Sequence, residues 1–160
     1  MFVVDTNILI YAANRDAPEN ARCGRLIESW RAQQKAWYVT WGIAYEFLRV
    51  TTHPRVLQRP FTLGQSWQFL EALFASSNLQ VLAETDRHRQ VVAEILAEVP
   101  DISGNLVFDA HTAILMRENG VKTIYTHDLD FRRFPFLDVL DPISEEGATR
   151  PAKQSRSRRD

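Results

Sequence analysis

The chain has 160 residues, 45% of them hydrophobic and 24% charged, with a formal net charge of −1. That suits one soluble domain with a single buried core, and no apolar run approaches the roughly 20 residues that cross a bilayer. A single cysteine, Cys23, excludes a disulfide framework or a cysteine-based metal cage. Charge is unevenly spread: residues 144–160 carry five Lys or Arg against three acids, leaving −3 on residues 1–143.

Phe2 to Val4 is a short apolar run that ends at Asp5, the pattern of a buried strand feeding a loop. Because Asp5 and Asn7 interrupt the opening apolar stretch, a secretory leader is not expected, and the chain reads as cytoplasmic. Asp5, Thr6 and Asn7 supply capping chemistry for helix over Ile8 to Ala13. Pro18 is expected to open a second helix through Gln34, followed by strand over Trp37 to Thr40 and helix over Trp41 to Thr51. His53 to Pro60 is bracketed by prolines and reads as a loop. Thr62 caps a helix to about Ala75, Leu79 to Leu82 is strand, and Arg87 to Val99 is helix, broken by Pro100 to Gly104. Leu106 to Asn119 is a periodic helix stopped by Gly120, with strands at Thr123 to Tyr125 and Leu137 to Leu140. Strands alternating with helices predict an α/β fold in three layers, α/β/α, around a central, mainly parallel sheet. Ligands collect at the carboxyl ends of the strands in such a sheet.

Four acids fall on surfaces where acids are rare. Asp5 and Asp128 follow strands, Glu46 borders the apolar side of its helix, and Asp109 sits in the first turn of another. Singly, each has a bland role: a cap for Asp5, dipole compensation for Asp109, a surface pair of Glu46 with Arg49, and turn formation for Asp128 and Asp130. Brought to one edge together, they would repel and need a hard divalent cation such as Mg²⁺ or Mn²⁺, bound through oxygen. The four histidines have no paired helical spacing, which argues against zinc. An all-acid ligand set suits phosphoryl transfer, and nothing suggests a covalent nucleophile.

Four segments in order resemble the motifs of PIN-domain nucleases. They are Phe2 to Leu9, Ala44 to Arg49, Gly104 to Ala113, and Thr126 to Phe131. The resemblance runs from Phe2 to about Pro142, so residues 1–143 form the expected PIN domain, and 144–160 are expected to be a disordered basic tail. That tail is a solvated extension or, through its arginines, an electrostatic handle on RNA. The size and the His53 to Leu57 segment are similar to the VapC branch, toxins neutralised by a small antitoxin. The resemblance implies Asp5 and Asp109 as principal metal ligands and catalytic acids, with Glu46 and Asp128 completing the cluster. Asp130 is an accessory acid, and Thr6, Asn7 and Thr126 hold carboxylates or water.

The implied reaction is hydrolysis of an RNA phosphodiester with Mg²⁺ or Mn²⁺ as cofactor, leaving 5′-phosphate and 3′-hydroxyl ends. A cognate antitoxin and a homodimer are the implied partners, without membrane association. Arg49, Arg55 and Arg59 are candidate phosphate contacts, with simple solvation as the alternative. Trp37, Trp41 and Tyr45 are candidates to stack on an unpaired base, the alternative being a place in the core. His127 is expected to be a partly exposed turn residue. A dehalogenase-like phosphatase would need an acid at position 7, and a receiver domain would need paired early acids; neither fits. Within the resemblance, a module that binds RNA or protein without cutting and a housekeeping processing nuclease are the rival readings.

Overall fold

A computed structural model describes residues 1–144; the predicted tail, apart from Ser144, lies outside the described residues. Five strands form one sheet: β1 (Phe2–Val4), β2 (Trp37–Thr40), β3 (Leu79–Leu82), β4 (Thr123–Tyr125) and β5 (Asp138–Leu140). Every pairing is parallel, in the order β3-β2-β1-β4-β5. The chain therefore lays strands outward from β1 to β3, then returns to the other side of β1 for β4 and β5. With right-handed crossovers, that reversal switches the face on which the connecting helices pack, which covers both faces of the sheet.

Six helices provide that cover: α1 (Thr6–Ala13), α2 (Asn20–Ala32), α3 (Trp41–Thr51), α4 (Leu63–Phe74), α5 (His88–Glu98) and α6 (Leu106–Glu118). The α/β/α architecture expected from the alternating pattern is present, and the sheet is wholly parallel among the described residues. Its core is the apolar run of β1 with Ile8, Leu9, Trp37, Phe47, Leu70, Ile95, Met116 and Ile124, all nearly or fully buried. Trp37 is fully buried and therefore belongs to the core, out of reach of any base.

Local chemistry accounts for most helix ends. The Thr62 hydroxyl accepts from the Gln65 amide while the Gln65 side chain accepts from the Thr62 amide, a reciprocal cap on α4. Gly120, at φ +67°, takes the left-handed turn after α6. The second helix begins at Asn20 rather than Pro18 and ends at Ala32, short of Gln34. The Asn20 amide donates to the carbonyls of Tyr11 and Ala12, so the intervening chain closes the end of α1 before a new helix starts. One element had no sequence signal beyond turn residues: a 3₁₀ turn at Leu129–Arg133, capped by the Asp128 carboxylate and anchored by buried Phe131 and Phe134.

Candidate metal centre

The reversal of strand order falls at β1, and the carboxyl ends of β1 and β4 lie side by side there, since Val4 pairs with Tyr125. A cleft at such a switch point is where open parallel sheets place their ligands. Asp5 follows β1, Thr126 to Asp128 follow β4, Glu46 comes from α3 and Asp109 from the first turn of α6.

Asp5 is buried, and its carboxylate is held from both oxygens. Oδ1 accepts from the Thr6 amide at 2.7 Å, making Asp5 the N-cap of α1. Oδ2 accepts from the Asn7 side-chain amide at 2.6 Å and the Thr126 hydroxyl at 2.6 Å. The Thr126 oxygen in turn accepts from the Asn7 amide at 2.9 Å and from the Asp128 backbone amide at 2.8 Å. With both lone pairs of that hydroxyl occupied, its proton has one destination, the Asp5 carboxylate. Thr6 also donates its hydroxyl to Glu46 Oε2 at 2.9 Å, which ties α3 to the start of α1. Arg49 lies one turn further along α3 and pairs with the other Glu46 oxygen at 3.3 Å.

Carboxylate oxygens of Asp109, Asp128 and Asp130 lie within 4.8 Å of one another. Asp130 is exposed, and its amide donates to Asp128, so the 3₁₀ turn fixes both acids together. Burial is the main reason the Asp5 carboxyl is pushed up to about 6; hydrogen bonds from Thr126 and Thr6 oppose it, and Glu46 and Asp128 add to it. Asp109 is pushed up to about 7, first by burial and then by the charges of Asp5, Asp128, Glu46 and Asp130. Asp109 makes no hydrogen bond among the described residues that would hold its charge. Five acids from four segments therefore share one electrostatic site, and among the described residues the one cation paired with any of them is Arg49, on the second oxygen of Glu46. Oxygen donors alone, negative charge that Arg49 offsets only in part and a solvent-open side fit a hard divalent cation such as Mg²⁺ or Mn²⁺, and do not fit zinc.

The remaining expected residues divide. Thr6, Asn7 and Thr126 are all at the cluster. His127 is exposed beside it, its backbone amide donating to Asn7 Oδ1 and its ring pairing with Asp141 at 2.9 Å. Asn7, Tyr11, His127, Asp128, Leu129 and Asp130 line an open recess alongside. Among the arginines, Arg49 stands at the site. Arg59 instead pairs with Asp16 beyond α1, at a separate recess lined by Phe61, Gln65 and Phe69. Arg55 is exposed in the loop before α4. Asp16 and Arg59 are 43 residues apart, so no local pattern in the sequence signals their pairing.

An acid-lined cleft at the switch point of a parallel α/β/α sheet defines a class of candidate phosphodiester-cleaving centres, and comparison with known proteins narrows the class. The sequence matches the PIN domain family over residues 2–137. It is 32% identical over 140 residues to ribonuclease VapC48 of Mycobacterium tuberculosis, covering 88% of this chain and 96% of that one. It is also 31% identical over 150 residues to ribonuclease VapC24 of the same organism, covering 92% of this chain and all of the other. The chain therefore belongs to the PIN-domain family, in its VapC branch.

Solved structures agree on the fold. Mycobacterium tuberculosis VapC20, described as a sarcin-ricin loop cleaving toxin, matches with a TM-score of 0.61 at 18% identity, over 86% of this chain and 97% of that one. VapBC2 from Rickettsia felis, bound to a promoter DNA fragment, matches at 0.58 and 18% identity, over 86% and 96%.

Proposed function

We propose that this protein is a metal-dependent endoribonuclease acting as the toxin of a toxin–antitoxin pair, with Asp5, Glu46, Asp109 and Asp128 as its catalytic and metal-binding acids. The observation that carries the reading is the convergence of those acids, 104 residues apart at Asp5 and Asp109, on the switch point of the sheet. The names of its relatives as ribonucleases support the same substrate class.

Asp5 and Asp109 are the principal ligands of Mg²⁺ or Mn²⁺, Glu46 and Asp128 complete the set, and Asp130 adds charge at the open side. A divalent cation bound there activates water and neutralises charge growing on the phosphate oxygens. The protein's own contribution is positional. Thr126 and Asn7 aim Asp5, Thr6 aims Glu46, and the 3₁₀ turn sets Asp128 and Asp130, so these four carboxylates are held in place before a cation arrives. The deep side of the cluster is closed by the strand ends, and substrate enters from the side of Asp130 and the Asn7–Tyr11 recess. A cognate antitoxin, a homodimer and action in the cytoplasm belong to the same proposal.

The test is incubation of the purified protein with total cellular RNA in Mg²⁺, in Mn²⁺ and in EDTA, beside Asp109→Asn. Discrete fragments with 5′-phosphate ends, absent in EDTA and in the variant, are expected. No cleavage by folded, antitoxin-free protein in either metal would overturn the reading in favour of a binding module.

A further inference from the structure

The outward face of α3 carries a stripe of three side chains at four-residue spacing: Trp41, Tyr45 and Arg49. Successive members lie about 6 Å apart along a helix axis. Trp41 is 48% exposed and Tyr45 68%, although α3 buries Ile43, Ala44 and Phe47 against the core. The two rings are 6.3 Å apart and inclined by 45°, so they do not stack on each other, and both remain partly open to solvent. Trp41 is braced from behind by Phe74 at 5.8 Å, which fixes its ring rather than leaving it free to collapse.

Position distinguishes these rings from scattered surface aromatics. Tyr45 precedes Glu46, whose carboxylate is bonded to Thr6 next to Asp5, so the Tyr45–Arg49 end of the stripe flanks the helical turn that supplies an acid to the cluster. Arg49 ends it, and its guanidinium reaches Glu46 at 3.3 Å while remaining largely open to solvent. A polyanion approaching this body meets net charge of −3 over residues 1–143 and five acids at the cleft. Phosphate attraction there falls to Arg49 and a bound divalent cation, and contacts indifferent to charge add to it. Aromatic rings supply such contacts to bases, but only to bases that are not paired and stacked in a duplex.

We infer that Trp41 and Tyr45 form a stacking platform for unpaired nucleotides flanking the scissile bond, with Arg49 on the adjoining phosphate. The inference rests on the nuclease reading for its direction, and it places on α3 a substrate contact distinct from the metal ligands. A protein partner covering the same rings is the competing occupant.

The experiment measures binding of a single-stranded 12-nucleotide RNA of mixed sequence, carrying central 2-aminopurine, to the full chain in EDTA. The same strand annealed to its complement serves as the duplex arm, and cleavage is followed separately in Mn²⁺. Tyr45→Ala and Trp41→Ala are each expected to weaken single-strand binding by about fivefold or more, the lower end for a lost stacking ring. Tyr45→Phe and Trp41→Phe should restore both affinity and 2-aminopurine quenching, and duplex binding should be insensitive to all four. Circular dichroism verifies folding, and exposed Tyr45 serves alone if the Trp41 variants do not fold.

Unchanged single-strand affinity in Tyr45→Ala would overturn the platform. A change in sedimentation of the protein alone, with RNA affinity intact, would assign the rings to a second copy and overturn it equally. Wild-type protein that binds through the rings yet never cuts would overturn the nuclease reading and leave the platform standing.

Discussion

Replacing Asp109 by Asn should stabilise the metal-free protein, and the size of the effect follows from where the cluster keeps its proton. Asp5 accepts three hydrogen bonds, so its ionised form is held despite burial. Asp109 has no such support and is pushed up to about 7 from 3.8, burial being the largest cause. Near pH 8 both are ionised, and the fold carries the full repulsion.

About 3 pH units of displacement correspond to roughly 4 kcal/mol as an upper bound. Asp109 opens partly to solvent, so screening reduces this, and a gain of about 1–2 kcal/mol is expected. That is a rise of about 3–6 °C in Tm for a domain of this size. The sign in pH follows from proton counting. Between about pH 4 and 7 the folded protein retains a proton that the unfolded chain has released, so wild-type stability declines as pH rises through that window. The advantage of Asp109→Asn should therefore be full near pH 8 and absent near pH 4. Thermal unfolding in EDTA at several pH values reads both, and added Mn²⁺ should reverse the order because only the wild type gains a tight ligand. Equal Tm values near pH 8, or a gain that persists unchanged near pH 4, would refute the reasoning.

Thr126→Val removes the proton aimed at Asp5 and the acceptor for Asn7 and Asp128, leaving buried polar groups unpaired. A loss of about 1–3 kcal/mol in chemical denaturation and a 10- to 100-fold weaker Mn²⁺ affinity by calorimetry are expected; wild-type affinity would mean Thr126 does not position Asp5. Thr62→Ala should lower stability by about 1 kcal/mol through loss of the α4 cap while leaving RNA cleavage unchanged, and an activity loss would show that α4 reaches the site. Arg59→Ala should cleave RNA at the wild-type rate, since its partner is Asp16; a marked fall in kcat/KM would put that arginine in the substrate path. Glu46→Gln retains an acceptor for Thr6 but loses its charge, so melting should be little changed while cleavage in Mn²⁺ falls by about 100-fold; undiminished cleavage would remove Glu46 from the metal set.

Features that depend on short-range chemistry were readable in the chain. The apolar run at Phe2 to Val4, the Thr62 cap, the Gly120 stop and the strand–helix alternation all signal structure through residues near in sequence. The four acids stood out because each lay on an apolar or strand-end context, although their convergence was legible only through resemblance to PIN motifs. Long-range pairing was not legible. The Arg49 pair with Glu46, three residues away on one helix, could be read from the chain, whereas the Arg59 partner Asp16 lies 43 residues away and could not. The 3₁₀ turn at Leu129 was hidden for a related reason: a five-residue element has no period to detect, and it is fixed by buried Phe131 and Phe134.

The passage from β2 into α3 takes no loop: Thr40 ends the strand and caps the helix, its hydroxyl accepting from the Ile43 amide at 3.1 Å. Side chains on the two sides of that helix therefore answer to different pressures. Ile43, Ala44, Phe47 and Thr51 are constrained by the interior, whereas among the described residues Tyr45 is free of it, Trp41 is tied only to Phe74 and Arg49 only to Glu46. A duplicated gene could exchange the residue at position 45 in a single step, acquire a new RNA preference, and keep the acids beside it unaltered.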